Sequence, residues 1–428
     1  MPANKPFRIL LSALIFAAAL YRYWPVASPQ GPCGLGYESL EIGCSLARGT
    51  GFSNPFPVLP TGPSAHLAPM FPFLVSGLIK WLGEGPASSN AIEWLGSLVV
   101  AFQLCLWPWA AERLGMGFLA GFVAAAGWLL IGFTVLPMWE AAYVALLILL
   151  LVVCMHRILT ERVSLAFVAL TGLLWGITFL FNPVPLLAYV AFVVWATFFR
   201  RIPRSQLLSL TLVPFAVVSP WLVRNYFVFH HAILIRDNLG IELWSSNNPC
   251  STYSFRDNRL AKCFNHPNES VAEAKNLQAV GEYAYNQEKL RESMAWIKNN
   301  PGKFVHLTRQ RFLAFWLYVP GATYYAGRRI PANIVLIWVV MALNPVGLWM
   351  LAKRNRNAAL VCTVWLVLYP PVYYFIQFIP RYREPILWAS LMPASFVLTE
   401  AARWIWQRAR KQFPAASGSA ETPEKLTV

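Results

Sequence analysis

Two glutamates near the start of the chain have a spacing that could support acid–base chemistry. Glu38 and Glu41 lie within 36–48, a stretch whose apolar residues recur at helical intervals. Residues three apart on a helix share a face, so either carboxylate could act as a general base if partial burial raised its pKa. The alternative is a solvated helix face on which Glu41 pairs loosely with Arg48.

A third acid, Glu140, follows Trp139 between two apolar segments. It could orient a substrate or bind a metal ion. It could equally be an acidic residue at a helix N-terminus, where the helix dipole favours negative charge. The sequence leaves both interpretations open.

Four arginines outside the apolar segments could bind phosphate: Arg224, Arg236, Arg381 and Arg383. A guanidinium group binds phosphate oxygens through paired N–H donors, so Arg381 and Arg383 suggest a phosphate or pyrophosphate head group at the membrane interface. The alternative is that they reach toward lipid headgroups, or that Arg383 pairs with Glu140 or Glu384.

Metal-binding residues are sparse. Of the six histidines, we expect only His66, His230 and His231 to lie near the face that carries these arginines. The site is therefore predicted to hold no metal, although a divalent cation could bind if three glutamates converged. The sequence contains no GxxxxGK[ST], GxGxxG, HExxH or DxD motif.

The elements that must position these residues are membrane helices. The chain is 57% hydrophobic and 13% charged with a mean hydropathy of +0.48, which excludes an ordinary soluble enzyme. Its apolar runs predict an all-α polytopic membrane protein with about ten spans. The predicted spans are Ile9–Leu20, Ala91–Ala111, Gly117–Leu136, Ala141–Met155, Leu165–Phe181, Val184–Phe199, Leu207–Val223, Asn333–Leu351, Ala358–Ile376 and Pro385–Ile405.

Lys and Arg fall in alternate connections, which predicts that both termini are cytoplasmic. Met70–Leu82 then becomes a shorter helix at the outer interface. The spans hold no acidic residue away from their ends, which weakens a coupled-transporter interpretation. The formal charge of +16 forms no dense stripe, so the expected partner is the lipid bilayer and not nucleic acid.

This layout divides the chain into four regions. They are an N-terminal transmembrane region, 1–223, with a first outer loop at 25–90; a mixed, mostly helical periplasmic segment, 224–332; C-terminal transmembrane helices, 333–407; and a cytoplasmic tail, 408–428, expected to be disordered. Four cysteines lie outside the spans and allow three pairings. We favour Cys33 with Cys44 and Cys250 with Cys263.

Several motifs occur in order along nearly the whole chain. They are ExxEI at 38–42, GPSAH at 62–66, PWxxRNY at 220–226, RxNxGxELW at 236–244 and RYRxPI at 381–386. Each is weak alone. As an ordered set, with interfacial helices in the first outer loop, they resemble bacterial membrane glycosyltransferases of the GT-C superfamily, and most closely family 39, which groups protein O-mannosyltransferases with lipid A aminoarabinose transferases.

The resemblance implies a transferase in the bacterial inner (cytoplasmic) membrane. It would move a hexose or pentose from a polyprenyl-phosphate-linked donor to a hydroxyl acceptor, lipid, glycan or protein, on the periplasmic face. The family's catalytic acid matches Glu38, and Glu140 matches the acid of the second outer loop. Many members have Asp at the first position, so Glu38 and Glu41 both remain candidates for the base.

We hypothesise an inverting displacement with Glu38 as base, and with donor-phosphate binding by Arg224, Arg381 and Arg383. The remaining predicted pocket residues are His66, Arg236, Asn238, Glu242 and Tyr382. The alternatives are a transporter or flippase of lipid-linked intermediates and a structural membrane subunit. Transfer of labelled sugar by purified protein would separate the first alternative from an enzyme.

Overall fold

The computed structural model describes residues 5–25, 32–34, 38–131, 139–318 and 332–412, and the secondary structure in these ranges is helical. The α-helices are α1 Lys5–Arg22, α2 Glu38–Ala47, α3 Met70–Leu82, α4 Pro86–Arg113, α5 Phe118–Ile131, α6 Glu140–Thr160, α7 Leu165–Phe181, α8 Leu186–Phe198, α9 Arg204–Phe229, α10 Leu239–Ser246, α11 Phe255–Leu260, α12 Val271–Val280, α13 Glu282–Asn299, α14 Pro301–Leu317, α15 Ala332–Arg354, α16 Arg356–Leu368, α17 Pro371–Tyr374 and α18 Leu387–Gln412. Short 3₁₀ helices occupy Pro32–Gly34 and Pro380–Ile386.

Each predicted span overlaps at least one of these helices, which confirms an all-α polytopic membrane protein, while the number of spans stays a prediction. In the described ranges, six helical segments are long and apolar enough to cross a membrane: Pro86–Arg113, Glu140–Thr160, Arg204–Phe229, Ala332–Arg354, Arg356–Tyr374 and Pro380–Arg410. Four apolar helices are shorter: Met70–Leu82, Phe118–Ile131, Leu165–Phe181 and Leu186–Phe198.

Several parts of the predicted layout reach beyond the described residues, including 26–31 and 35–37 of the first outer loop and 319–331 of the periplasmic segment. The predicted span 117–136 is described as far as Ile131, where α5 ends. Helix α18 runs on to Gln412, so the first residues of the predicted tail are helical. Residues 413–428 lie outside the description.

Side-chain caps set where several helices begin. Ser164 accepts a hydrogen bond from the Phe167 amide at the start of α7, and Asn355 accepts one from the Ala358 amide at the start of α16. The side-chain nitrogen Nδ2 of Asn355 also lies 3.0 Å from His156 Nε2. These contacts join the ends of α6 and α16 at one end of the bundle.

Tryptophans fill the interior of the bundle. The rings of Trp107 and Trp128 meet edge to face at 5.4 Å, and those of Trp175 and Trp365 stack at 5.7 Å. All four are at most 2% exposed. Close packing of large rings from α4, α5, α7 and α16 makes the bundle a rigid support for residues at its ends.

The other end of the bundle carries the helical segment α10–α14. Its α10 packs closely on α13, because a Cβ added at Gly240 would lie 1.9 Å from the carbonyl oxygen of Asn286. Buried Arg311 of α14 donates to the Asn247 side chain and to the Phe375 carbonyl, at 3.0 and 2.9 Å. These bonds tie the outer segment to the chain after α17.

Both favoured disulfides are confirmed. Cys33 bonds to Cys44 within the first outer loop, and Cys250 bonds to Cys263 in the outer segment. The three cysteines placed in spans, Cys105, Cys154 and Cys362, are free.

Candidate functional site

A polar cavity of about 90 Å³ lies where the first outer loop, the start of α6 and the chain around α17 meet. Most of the predicted site residues line it: Glu38, His66, Glu140, Arg236, Asn238, Glu242, Arg381 and Tyr382. A second cavity of about 480 Å³ shares Glu38, Glu242, Arg381 and Tyr382 with the first, so the two adjoin. Residues far apart in the chain therefore converge as the ordered motifs predict.

Glu38 is the first residue of α2, and its side chain is half-buried between the two cavities. The disulfide to Cys44, on the same helix, limits how α2 can move. Burial raises the pKa of Glu38 to about 7; Arg381 opposes the rise, and the negative charges of Glu242 and Glu140 add to it. A carboxylate of this pKa suits a general base at neutral pH.

Two guanidinium groups, those of Arg236 and Arg381, face the same cavity as Glu38. The Arg381 guanidinium carbon lies 3.6 Å from the centre of the Trp139 ring, which holds the group by a cation–π contact. Among the described residues, neither arginine forms an ion pair with a carboxylate. Both are therefore available to an anionic ligand.

Tyrosines form an aromatic wall that we did not predict, apart from Tyr382. The rings of Tyr373 and Tyr382 stack at 4.4 Å, and the hydroxyls of Tyr369 and Tyr373 lie 3.3 Å apart. Asn182, at the end of α7, lines the same wall. The i, i+4 spacing of Tyr369 and Tyr373 was the available signal, since it places both rings on one helix face.

His266 is a functional candidate to which no sequence pattern pointed. Our expectation that only His66, His230 and His231 lie near this face was wrong. Glu38, His66 and His266 each have a potential ligand atom within 4.8 Å of the others. No spacing relates residue 266 to 38 or 66, because the contact forms only when the outer segment folds over the first loop.

A metal ion at this position would need a free lone pair from each of these three side chains. Burial lowers the pKa of His66 and lowers that of His266 to about 3, so both imidazoles are neutral, and His66 Nδ1 is buried without a partner. However, His266 Nδ1 accepts a hydrogen bond from the Asn268 amide, so the ring proton lies on Nε2. With neither nitrogen of His266 offering a free lone pair, the set does not fit a three-ligand metal site.

Arg224 and Arg383 are not part of the cavity wall. Arg224 donates to the carbonyls of Ser64 and Phe52, at 2.7 and 2.9 Å. Arg383 is 2% exposed and donates to the carbonyl of Trp316 at 2.8 Å, behind the wall. The structure therefore brings neither to the position expected for a donor phosphate.

Glu41 is also absent from the residues that line the two cavities. Its expected partner, Arg48, bonds to Glu84 through two oxygens at 2.6 and 2.7 Å, and the charge of Glu41 also acts on Arg48. The structure thus separates Glu38, which faces the cavity, from Glu41, one helical turn further along α2.

The backbone around His66 is held from three sides. Besides the Arg224 bond to Ser64, the Ala65 amide donates to buried Glu282 at 2.5 Å, and the Asp237 amide donates to the Ala65 carbonyl at 2.7 Å. Burial raises the pKa of Glu282 to about 8 and that of Asp237 to about 6. These contacts fix the loop that presents His66.

No protein-family model matches the chain, and no curated protein matches it. Among solved structures, it is similar to the oligosaccharyltransferase of Archaeoglobus fulgidus tethered with an acceptor peptide, with a TM-score of 0.52, 12% identity, and 95% of this chain and 51% of that one covered. It is also similar to AglB of that organism in complex with an inhibitory peptide and a dolichol-phosphate, with a TM-score of 0.51, 13% identity, and coverage of 100% and 53%.

The chain spans about half the length of these two proteins. ArnT of Cupriavidus metallidurans bound to undecaprenyl phosphate superimposes less closely, with a TM-score of 0.37, 13% identity, and coverage of 96% and 81%. At these identities the likeness to the oligosaccharyltransferases shows the fold. The chain is a multi-pass membrane protein with the fold of these oligosaccharyltransferases, and its assignment to the GT-C superfamily and to family 39 stays a prediction.

Proposed function

We propose that this chain is a membrane glycosyltransferase that moves a sugar from a polyprenyl-phosphate-linked donor to a hydroxyl acceptor. The observation that carries the proposal is that Glu38 and Arg381 face one cavity at the end of a bundle of apolar helices. A donor with a lipid tail presents its phosphate at such a boundary, beside both a base and a cation. The AglB complex with dolichol-phosphate supports this class of lipid.

In the proposed reaction, the acceptor hydroxyl transfers its proton to the Glu38 carboxylate as its oxygen attacks C1 of the donor sugar. The bond from C1 to the phosphate oxygen breaks on the opposite side, and the polyprenyl phosphate leaves with the electron pair. The configuration at C1 is inverted, and Glu38 returns the proton to solvent. Arg381 stabilises the charge on the departing phosphate.

The second cation of the proposed site is Arg236, in place of Arg224 and Arg383. Arg236 lines the cavity without a carboxylate partner among the described residues, whereas the other two bind backbone carbonyls. Glu140 and Glu242 would then contact sugar hydroxyls, with Tyr382 beneath the ring. We infer that the reaction uses no resident metal, because neutral His266 offers no free lone pair; the metal content of purified protein tests this.

The proposed orientation places the cavity on the periplasmic face of a bacterial inner membrane, with both termini cytoplasmic. The positive-inside distribution supports it, since the opposite end of the bundle carries the excess of arginine. Addition of a membrane-impermeant reagent to cells with cysteines introduced at exposed Lys275 and exposed Arg410 tests the orientation. Only the first should be labelled.

The central experiment compares Glu38→Gln with Glu41→Gln. In lipid extracts of a deletion strain, a carrier-linked sugar should accumulate, and a wild-type copy or the Glu41→Gln copy should clear it. The Glu38→Gln copy should leave it unconsumed, because an amide cannot accept the proton. Equal clearance by both variants would remove Glu38 as the base.

Purified protein separates an enzyme from a flippase. An enzyme in detergent consumes the extracted carrier-linked sugar and releases the polyprenyl phosphate, whereas a flippase leaves its covalent structure unchanged. Release by wild-type protein and not by Glu38→Gln supports the proposal. Relocation across vesicles without bond cleavage contradicts it.

A further inference from the structure

A third cavity, of about 330 Å³, lies far from the candidate active site. It is formed by the turn between α6 and α7 and the turn between α8 and α9, with Arg162, Arg200 and Arg201 in its wall. Helix α6 has 21 residues and begins at Glu140 in the active-site cavity, so its far end lies about 30 Å away. The two cavities therefore open at opposite membrane interfaces.

The charge around this arginine cavity is unbalanced. Its one acidic side chain, Glu161, is already bound to Arg157 at 2.9 Å. Among the described residues, no carboxylate pairs with Arg162, Arg200 or Arg201, and all three are exposed. Arg200 reaches only the Glu161 carbonyl, at 3.3 Å. Positive charge concentrated in a concave site favours an anion.

The backbone gives an independent observation. Arg201 follows α8 with a φ of 52°, in the left-handed region that helix ends usually fill with glycine. A side chain in this conformation is disfavoured and persists where something else is gained. Here it directs a guanidinium group into the cavity wall, which glycine would not supply.

Neighbouring apolar residues identify the kind of anion. Phe198 and Phe199, directly before Arg200, are 69% and 67% exposed. Exposed aromatic rings next to arginine at the end of a membrane helix are typical of contact with lipid. A soluble anion would not need such a border, whereas a lipid would place its acyl chains against it.

We propose that this cavity binds the phosphate headgroup of an anionic phospholipid in the leaflet opposite the candidate active site. Its three guanidinium groups contact the phosphodiester oxygens, and the acyl chains lie along α8 beside Phe198 and Phe199. This site is independent of the proposed transferase activity, and its test does not use that activity.

The test measures thermal unfolding of the full chain in nanodiscs of phosphatidylcholine alone or mixed with phosphatidylglycerol. We expect the wild-type midpoint to rise with phosphatidylglycerol. Arg201→Gly should lose most of that rise while unfolding at the same or a higher temperature in phosphatidylcholine, because glycine relieves the backbone conformation. Native mass spectrometry should show roughly fivefold weaker retention of phosphatidylglycerol per arginine removed.

Arg356→Gln is the matched control, because Arg356 is exposed at the same end of the bundle and does not line the cavity. It should keep the full rise, while Arg162→Gln with Arg200→Gln should lose it as Arg201→Gly does. A full rise in Arg201→Gly, or an equal loss in Arg356→Gln, would overturn the proposal. An equal rise for wild type in inorganic phosphate with phosphatidylcholine would also overturn it, in favour of a free-phosphate site.

Discussion

The cavity wall and the layer behind it use the same residue type in opposite ways. Arg236 and Arg381 face the cavity without a carboxylate partner among the described residues, whereas Arg224 and Arg383 donate to backbone carbonyls. In the first pair the guanidinium group is available to a ligand, and in the second it holds a loop or a helix end. Motif position alone does not separate binding arginines from structural ones.

The largest expected effect separates Arg381 from Arg383, which are two residues apart. Arg381→Ala should lower the turnover of purified protein about 10²–10³-fold with little change in unfolding temperature, because charge stabilisation in the transition state is lost. Arg383→Ala should instead destabilise the fold by roughly 1–3 kcal/mol, because the Phe315 and Trp316 carbonyls lose a buried donor.

Unfolding can be followed through the reaction of a thiol dye with buried Cys362. Unchanged turnover in Arg381→Ala would break the comparison between wall and support. The comparison would also break if Arg383→Ala kept its stability but lost turnover as expected of Arg381→Ala.

The pH profile tests the cavity side of the comparison. Glu38 has a pKa of about 7 and must be deprotonated to act as base, so turnover should fall about 50-fold from pH 7 to pH 5. Glu242→Gln removes a negative charge and should move this fall in turnover to lower pH. Arg381→Ala removes a positive charge and should move it to higher pH. His266, which also faces Glu38, has a pKa of about 3 and stays neutral over this range, and burial lowers the pKa of neighbouring His66.

If turnover falls at the same pH in Glu242→Gln and in Arg381→Ala as in the wild type, a group other than Glu38 titrates. The Glu41→Gln variant, which leaves the cavity unchanged, should show the same fall in turnover with pH as the wild type.

The layer behind the cavity wall contains Glu282, which should make the stability of the fold depend on pH. Its pKa is about 8 in the folded protein and near 4.5 when unfolded, so the folded state retains the proton longer. Stability should be greatest at acidic pH and fall as pH rises from about 5 to 8, by up to ~1.4 kcal/mol per pH unit. Glu282→Gln should flatten this slope. An unchanged slope would point to neighbouring Asp237.

The smallest expected effect concerns the contact of α10 with α13. Gly240→Ala places a methyl group against the Asn286 carbonyl and should cost roughly 1–3 kcal/mol. Gly302→Ala is the control, since a Cβ there meets nothing within 4 Å and alanine favours the helix. Equal stability of the two variants would contradict the packing described for α10.

Much of the fold could be predicted because it depends on local patterns. Apolar runs gave each membrane helix, and the short stretch Met70–Leu82 was predicted with the bounds that the structure has. Both disulfides join cysteines close in sequence. Local hydrophobicity and spacing are sufficient for these features.

The site was only partly predictable, because its remaining features depend on contacts distant in sequence. Whether Arg383 faces a ligand depends on where α14 ends, and His266 reaches Glu38 only through the packing of the outer segment. Arg236 was predicted in the pocket, but its availability as a second cation required knowing the partners of Arg224. Residue type locates candidates, and tertiary contacts decide their roles.

The Cys33–Cys44 bond makes the structure of the first outer loop depend on whether its compartment is oxidising. Helix α2 carries both Glu38 and one half of that covalent tie. A newly inserted chain would lack the tie until thiol oxidation had occurred, and a chain threaded in reverse would keep it reduced in the cytosol. Oxidation of this loop would then report that insertion had been completed in the correct direction.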